Sequence, residues 1–108
     1  MPLEKEIKQE ILKYLNSLPQ CYARGKHSSP FSKGWADVMG SLSGRTLVFE
    51  VKQPGKDATK LQAAELVKWF KAGAIVGVVT CVDDVQMILR ANGVPLPASD
   101  GDAPIGSR

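Results

Sequence analysis

Residues 45–52, Arg-Thr-Leu-Val-Phe-Glu-Val-Lys, constrain this chain more than any other stretch, because the pattern of a strand ends in a Glu and a Lys two positions apart. Side chains two apart on a strand share a face. Leu47, Phe49 and Val51 therefore form one apolar face, and Val48, Glu50 and Lys52 lie together on the other. A half-buried Glu and Lys need a partner or a cation to offset their desolvation. Upstream, Asp37 opens Val38-Met39-Gly40, a short strand that the Ser43-Gly44 turn joins to the next. Hairpin neighbours of this kind bring Asp37 near Glu50. Two carboxylates and an ammonium at one strand end suit a divalent cation with a water steered beside it.

The remaining elements follow from periodicity. Ile7, Ile11, Leu15 and Leu18 recur at helical spacing over residues 3–18, and Pro19 ends that amphipathic helix. Residues 21–24 form a short first strand, and the Lys, Ser, Gly and Pro of residues 25–34 predict an exposed, mobile loop. Gln53-Pro54-Gly55 breaks the long strand. A second helix over 58–72 opens with Thr59 as N-cap and Gln62 reaching back in a capping box, and Gly73 closes it. Ala63, Leu66, Val67 and Phe70 make its expected core-facing stripe, with Trp69 roughly 100° away. Residues 74–80 form a continuous apolar, β-branched run, the pattern of a strand buried on both faces, and residues 83–90 a final helix. The expected fold class is α/β, a mixed central sheet flanked by helices in the order α-β-β-β-α-β-α.

At 108 residues and 44% apolar composition the chain suits a single domain, expected over residues 1–93, with a Pro, Gly, Asp and Ser-rich tail over 94–108 expected to be disordered. No apolar run is long enough for a membrane span, and the charged, helical start lacks the pattern of a secretory signal. An intracellular protein is expected, in the host cytoplasm if a phage encodes it. Cys21 and Cys81 are expected to be reduced core thiols. The formal charge of +3 is mild, but its distribution is informative. Arg24, Lys26, His27 and Lys33 precede Asp37, and Lys52, Lys56 and Lys60 follow Glu50, so positive charge flanks the carboxylates as a phosphate backbone requires.

Gly34-Trp35-Ala36-Asp37, Gly44-Arg45, Phe49-Glu50-Val51-Lys52, Gly55-Lys56 and Thr59 with Gln62 together resemble the VRR-NUC family of the PD-(D/E)XK nuclease superfamily. The Glu-Val-Lys triplet followed ten residues later by Gln is the most specific element, and the resemblance covers about residues 3–83. Ala36 stands where a Pro often precedes the Asp, a change that removes turn rigidity and no ligand. The resemblance implies a PD-(D/E)XK core in which Asp37, Glu50 and the Val51 carbonyl hold Mg²⁺ or Mn²⁺, Lys52 orients and activates water, and Gln62 lies near the Lys.

The resemblance also implies a Glu on the first helix near the metal. Among Glu4, Glu6 and Glu10, helical geometry favours Glu4, which lies within roughly 60° of the Ile7, Ile11 and Leu15 stripe. A solvated terminal Glu favoured by the helix dipole is the alternative. The expected activity is metal-dependent hydrolysis of DNA phosphodiester bonds, on branched DNA such as four-way junctions and as a homodimer. Trp69 is expected either to cover the edge of its own core or to anchor a two-fold interface. An inactive nuclease-fold binding module with Asp37, Glu50 and Lys52 ion-paired, and an RNA-processing enzyme with the same centre, are the rival expectations. His27, the single histidine, is expected to be a loop or phosphate contact and not a general base.

Overall fold

The computed structural model describes residues 1–26 and 35–97. Its elements run α1 (Glu4–Ser17), β1 (Cys21–Gly25), β2 (Val38–Leu42), β3 (Arg45–Val51), α2 (Lys60–Lys71), β4 (Ile75–Val79) and α3 (Val82–Ala91), the order that the periodicity predicts. The four strands lie in the spatial order β1-β2-β3-β4. The first three form an antiparallel meander, and β4 joins β3 in parallel after the crossover through α2. Ser43 and Gly44 both take positive φ, 50° and 86°, as a two-residue hairpin turn demands. That turn fixes the register Val38↔Phe49 and so carries Asp37 to the level of Glu50.

Alternation along β3 divides the core in two. Leu47, Phe49 and Val51 pack with Ile7, Ile11 and Leu15 of α1 and Val85 and Leu89 of α3. Val48 on the opposite face joins a smaller group, Ala36, Leu66 and Ala74, with Met39, Trp69 and Val76 partly buried around it. The strand buried on both faces is therefore β3, not β4. β4 lies at the sheet edge, where Val78 is 40% exposed. An apolar run identifies a strand without fixing its place in the sheet.

Both edges of the hairpin region are tied to helices. Asn16 of α1 donates from Nδ2 to the Ala23 carbonyl (3.0 Å) and accepts the Ala23 N–H at Oδ1 (2.9 Å), pairing both polar groups on the outer side of β1. Gln53 Nε2 donates to the Pro2 carbonyl (2.9 Å), which holds the start of α1 beside the residue after Lys52.

Several expectations need correction. α2 buries Leu66, with Gln62, Glu65 and Trp69 half-buried beside it, while Ala63, Val67 and Phe70 face outward. Positions 62, 65, 66 and 69 are themselves a helical stripe, and docking over Val48 and Ala74 selects it. Trp69 thus covers its own core. Cys81 is exposed and Cys21 only partly buried; both are free thiols, but Cys81 is no core residue. Val94 and Leu96 pack against the main core, so the folded unit extends past residue 93. Of the expected loop, Gly25 belongs to β1 and Lys26 follows it, while residues 27–34 with His27 and Lys33 lie outside the described residues, as does the tail from residue 98.

Candidate active site

Beyond the last rung of the β2–β3 ladder, two side chains continue the pairing in place of backbone. The Asp37 N–H donates to Glu50 Oε1 (3.1 Å), and the Val51 N–H donates to Asp37 Oδ2 (2.9 Å). Each carboxylate thereby commits one oxygen to the backbone of the other strand. The second oxygens remain: Asp37 Oδ1 lies 4.0 Å from Lys26 Nζ, and Glu50 Oε2 is buried with no hydrogen-bond partner among the described residues. Glu50 is 2% exposed and is the only buried polar or charged side chain among the described residues.

Burial pushes the Glu50 carboxyl above the usual range, and the nearby Asp37 charge pushes it the same way. The Asp37 N–H, Lys26 and Lys52 oppose that rise by favouring the charged form. An orphaned, buried carboxylate oxygen is costly unless a cation or donor meets it. Oxygen donors of this kind suit hard cations, and Mg²⁺ in particular is held by one or two carboxylates with water and phosphate oxygens completing its shell. The residues present fit such an ion. A recess of about 140 Å³ opens over Glu50, lined by Lys26, Trp35, Thr59, Gln62 and Glu65 among others, and it has room for several waters.

Lys52 follows β3, its N–H bonded to the Val79 carbonyl (3.0 Å), and its side chain forms no ion pair among the described residues. The expected capping box is present: Gln62 Oε1 accepts the Thr59 N–H (2.9 Å), and Thr59 Oγ1 accepts the Gln62 N–H (3.1 Å). Gln62 also lines the recess, so one residue occupies both expected positions. Lys56 and Lys60 are exposed on the turn and at the start of α2, and Arg24 is exposed on β1.

Glu4 is the exposed first residue of α1. The Gln53 bond to Pro2 keeps it at the site-bearing end of the sheet. It does not join the two carboxylates, because no three His, Cys, Asp or Glu side chains form a group among the described residues. Glu6 accepts the Leu3 N–H (2.9 Å) and serves the helix start.

Sequence reasoning missed Glu65, one turn after Gln62 and ion-paired to Lys68 (3.6 Å), and gave Trp35 no role, although both line the recess. The helical interval from Gln62 was the available signal for Glu65. The sequence suggests only a phosphate contact for Lys26; its backbone bond to the Asp37 carbonyl (3.1 Å) seats it at the carboxylates. No protein-family model matches the chain, and no curated protein matches its sequence. No helix among the described residues is long and apolar enough to cross a membrane.

Proposed function

We propose that the chain is a metal-dependent endonuclease of the PD-(D/E)XK type, similar to the VRR-NUC family, that hydrolyses phosphodiester bonds in branched DNA. The observation that carries this is the pair Asp37 and Glu50, each with one oxygen locked to backbone and one left for a cation, with Lys52 two residues after Glu50. The order of elements, with the carboxylates at the end of the hairpin and α2 opening beside them, agrees with that resemblance.

Asp37 Oδ1, Glu50 Oε2 and the Val51 carbonyl are the groups that would hold Mg²⁺ or Mn²⁺. Such an ion supplies charge neutralisation on the phosphoryl oxygens and a nucleophile at neutral pH. Lys52 orients the attacking water and offsets the negative charge that builds up on the phosphoryl oxygens. Gln62, fixed by its bond to Thr59, keeps amide hydrogens available to the substrate. Lys26, Lys56 and Lys60 neutralise neighbouring phosphates. A metal-free, ion-paired module is less well supported, since among the described residues Glu50 Oε2 has no partner and Lys52 pairs with neither carboxylate.

The test is a panel of linear, flap and four-way-junction DNAs, with matched RNAs, incubated with Mg²⁺, Mn²⁺ or chelator. Cleavage of branched DNA that needs metal and vanishes in Asp37→Asn is the expected result. Intact substrate under every condition sinks the proposal, and preferential RNA cutting moves it to RNA processing. A homodimer would use the outward side of α2, where Phe70 is 63% exposed beside Val67. Light scattering at micromolar concentration gives its mass.

A further inference from the structure

Three rungs cross the face of the sheet that bears Glu50. Tyr22 pairs with Ser41 and Ser41 with Thr46; Arg24 pairs with Met39 and Met39 with Val48; Lys26, through its bond to the Asp37 carbonyl, leads to Asp37 and Glu50. Residues directly opposite one another in a sheet project to the same side. Tyr22, Arg24 and Lys26 therefore stand in a row along β1, on the Glu50 side, spaced by about 6.6 Å per step. Ala23, between Tyr22 and Arg24, points the other way into the main core.

α2 packs on this face chiefly over β3 and β4. Among the described residues the β1–β2 half is the more open: Tyr22 on β1 is 65% exposed, and Trp35, ahead of β2 on the rim of the recess, 61%. An exposed Tyr in line with two cations on a strand face, with an exposed Trp at the recess where that line ends, is unlike a solvated edge, which charged groups alone would serve. Aromatic platforms beside a basic track are the means by which proteins hold unpaired nucleic acid: every base offers a π-face, and the cations follow the phosphates. In a duplex those base faces are hidden in the stack, so only unpaired nucleotides reach such platforms.

We propose that the open β1–β2 face binds an unpaired strand of nucleic acid, with bases stacked on Tyr22 and Trp35 and phosphates on Arg24 and Lys26, directed toward the Asp37 and Glu50 site. This rests on the nuclease reading for its direction and deepens it: the part of a branched substrate that enters is the strand with unpaired nucleotides.

The probe is fluorescein-labelled oligo(dT), compared with a blunt duplex of equal length, with chelator present so that binding is separated from cutting. Oligo(dT) is expected to bind about 10-fold more tightly than the duplex and to quench tryptophan emission in the wild-type protein but not in Trp35→Phe. Tyr22→Ala and Trp35→Ala are each expected to weaken oligo(dT) binding by about 10-fold, while Tyr22→Phe and Trp35→Phe, which keep a ring, restore most of it. Met87→Ala, an exposed apolar residue on α3, should bind as wild type. Circular dichroism of each variant guards against misfolding.

Equal affinity for duplex and oligo(dT), or unchanged oligo(dT) affinity in both alanine variants, overturns the inference. Quenching that Trp35→Phe abolishes, in a protein that never cuts DNA, supports this face as a strand-binding surface and removes the nuclease reading. Cleavage without any effect of Tyr22 or Trp35 does the reverse.

Discussion

Against α1 and α3 the sheet sets Leu47, Phe49, Val51, Ile75 and Val79, all fully or almost fully buried; against α2 it sets Val48 and a single carboxylate, Glu50. The first face is continuous and apolar from end to end. The second is small, partly open, and carries a buried charge that the protein alone leaves half unsatisfied. A broad apolar face holds the strands in register, so the narrower one tolerates groups that cost stability. Fold and chemistry are thereby placed on opposite sides of the same strand, β3.

Deleting the same atoms on each side measures that contrast. Leu47→Ala is expected to cost about 4 kcal/mol, toward the upper part of the range for buried leucines, and Leu66→Ala about 2 kcal/mol, because Leu66 lies at the rim of the lesser cluster. Urea denaturation gives both values; equal costs would erase the distinction between the faces. Next in size, Lys52→Ala should lower cleavage by a factor on the order of 10² or more while leaving the melting temperature close to wild type. Undiminished cutting by that variant would remove Lys52 from the mechanism.

Glu50→Gln sharpens the comparison from the other direction. It removes a buried charge beside Asp37, so the metal-free protein should melt higher, by roughly 5 °C for about 1 kcal/mol, and cleavage should disappear. A lower melting temperature in calorimetry would mean that Glu50 is structural. The smallest effect belongs to the apolar side. Asp84 accepts the Thr80 N–H and hydroxyl (both 2.8 Å), and those bonds, the backbone one foremost, hold its carboxyl below the usual range. A depressed folded-state value means stability that is present above the unfolded carboxylate range and is lost as pH falls through the folded one. Asp84→Asn should flatten the acid limb of the stability curve without changing cleavage at neutral pH. An acid limb identical to wild type would assign that pH dependence to other carboxylates.

Local signals in the chain were enough for the elements and for the heart of the candidate site. Counting outward from Ser43-Gly44 places Asp37 beside Glu50, and the Thr59 to Gln62 spacing gives the capping box. The rotation of α2 was not legible. The stripes 63, 66, 67, 70 and 62, 65, 66, 69 differ by one position, and only contact with Val48 and Ala74 chooses between them. Val94 and Leu96 were lost among prolines and glycines, because composition is blind to two apolar residues that reach a core. The exchange in which the Asp37 N–H donates to the Glu50 carboxylate and the Val51 N–H to the Asp37 carboxylate was equally hidden, since it depends on where the hairpin ladder stops. Tyr22 and Arg24 did alternate in the sequence, but a five-residue strand gives too short a pattern to separate a face from chance.

The two bonds from Asn16 to Ala23 bear on what this protein does in crowded solution. A sheet whose outermost strand shows bare N–H and C=O groups is a template on which another chain can add a strand, and from which fibres grow. Here one amide side chain occupies that template at the middle of β1, one of the two edges of the four-stranded sheet. Asn16→Leu would keep the helix and unmask the template. Its consequence is expected not in the melting curve but on storage, as thioflavin-positive aggregates that the parent protein does not form.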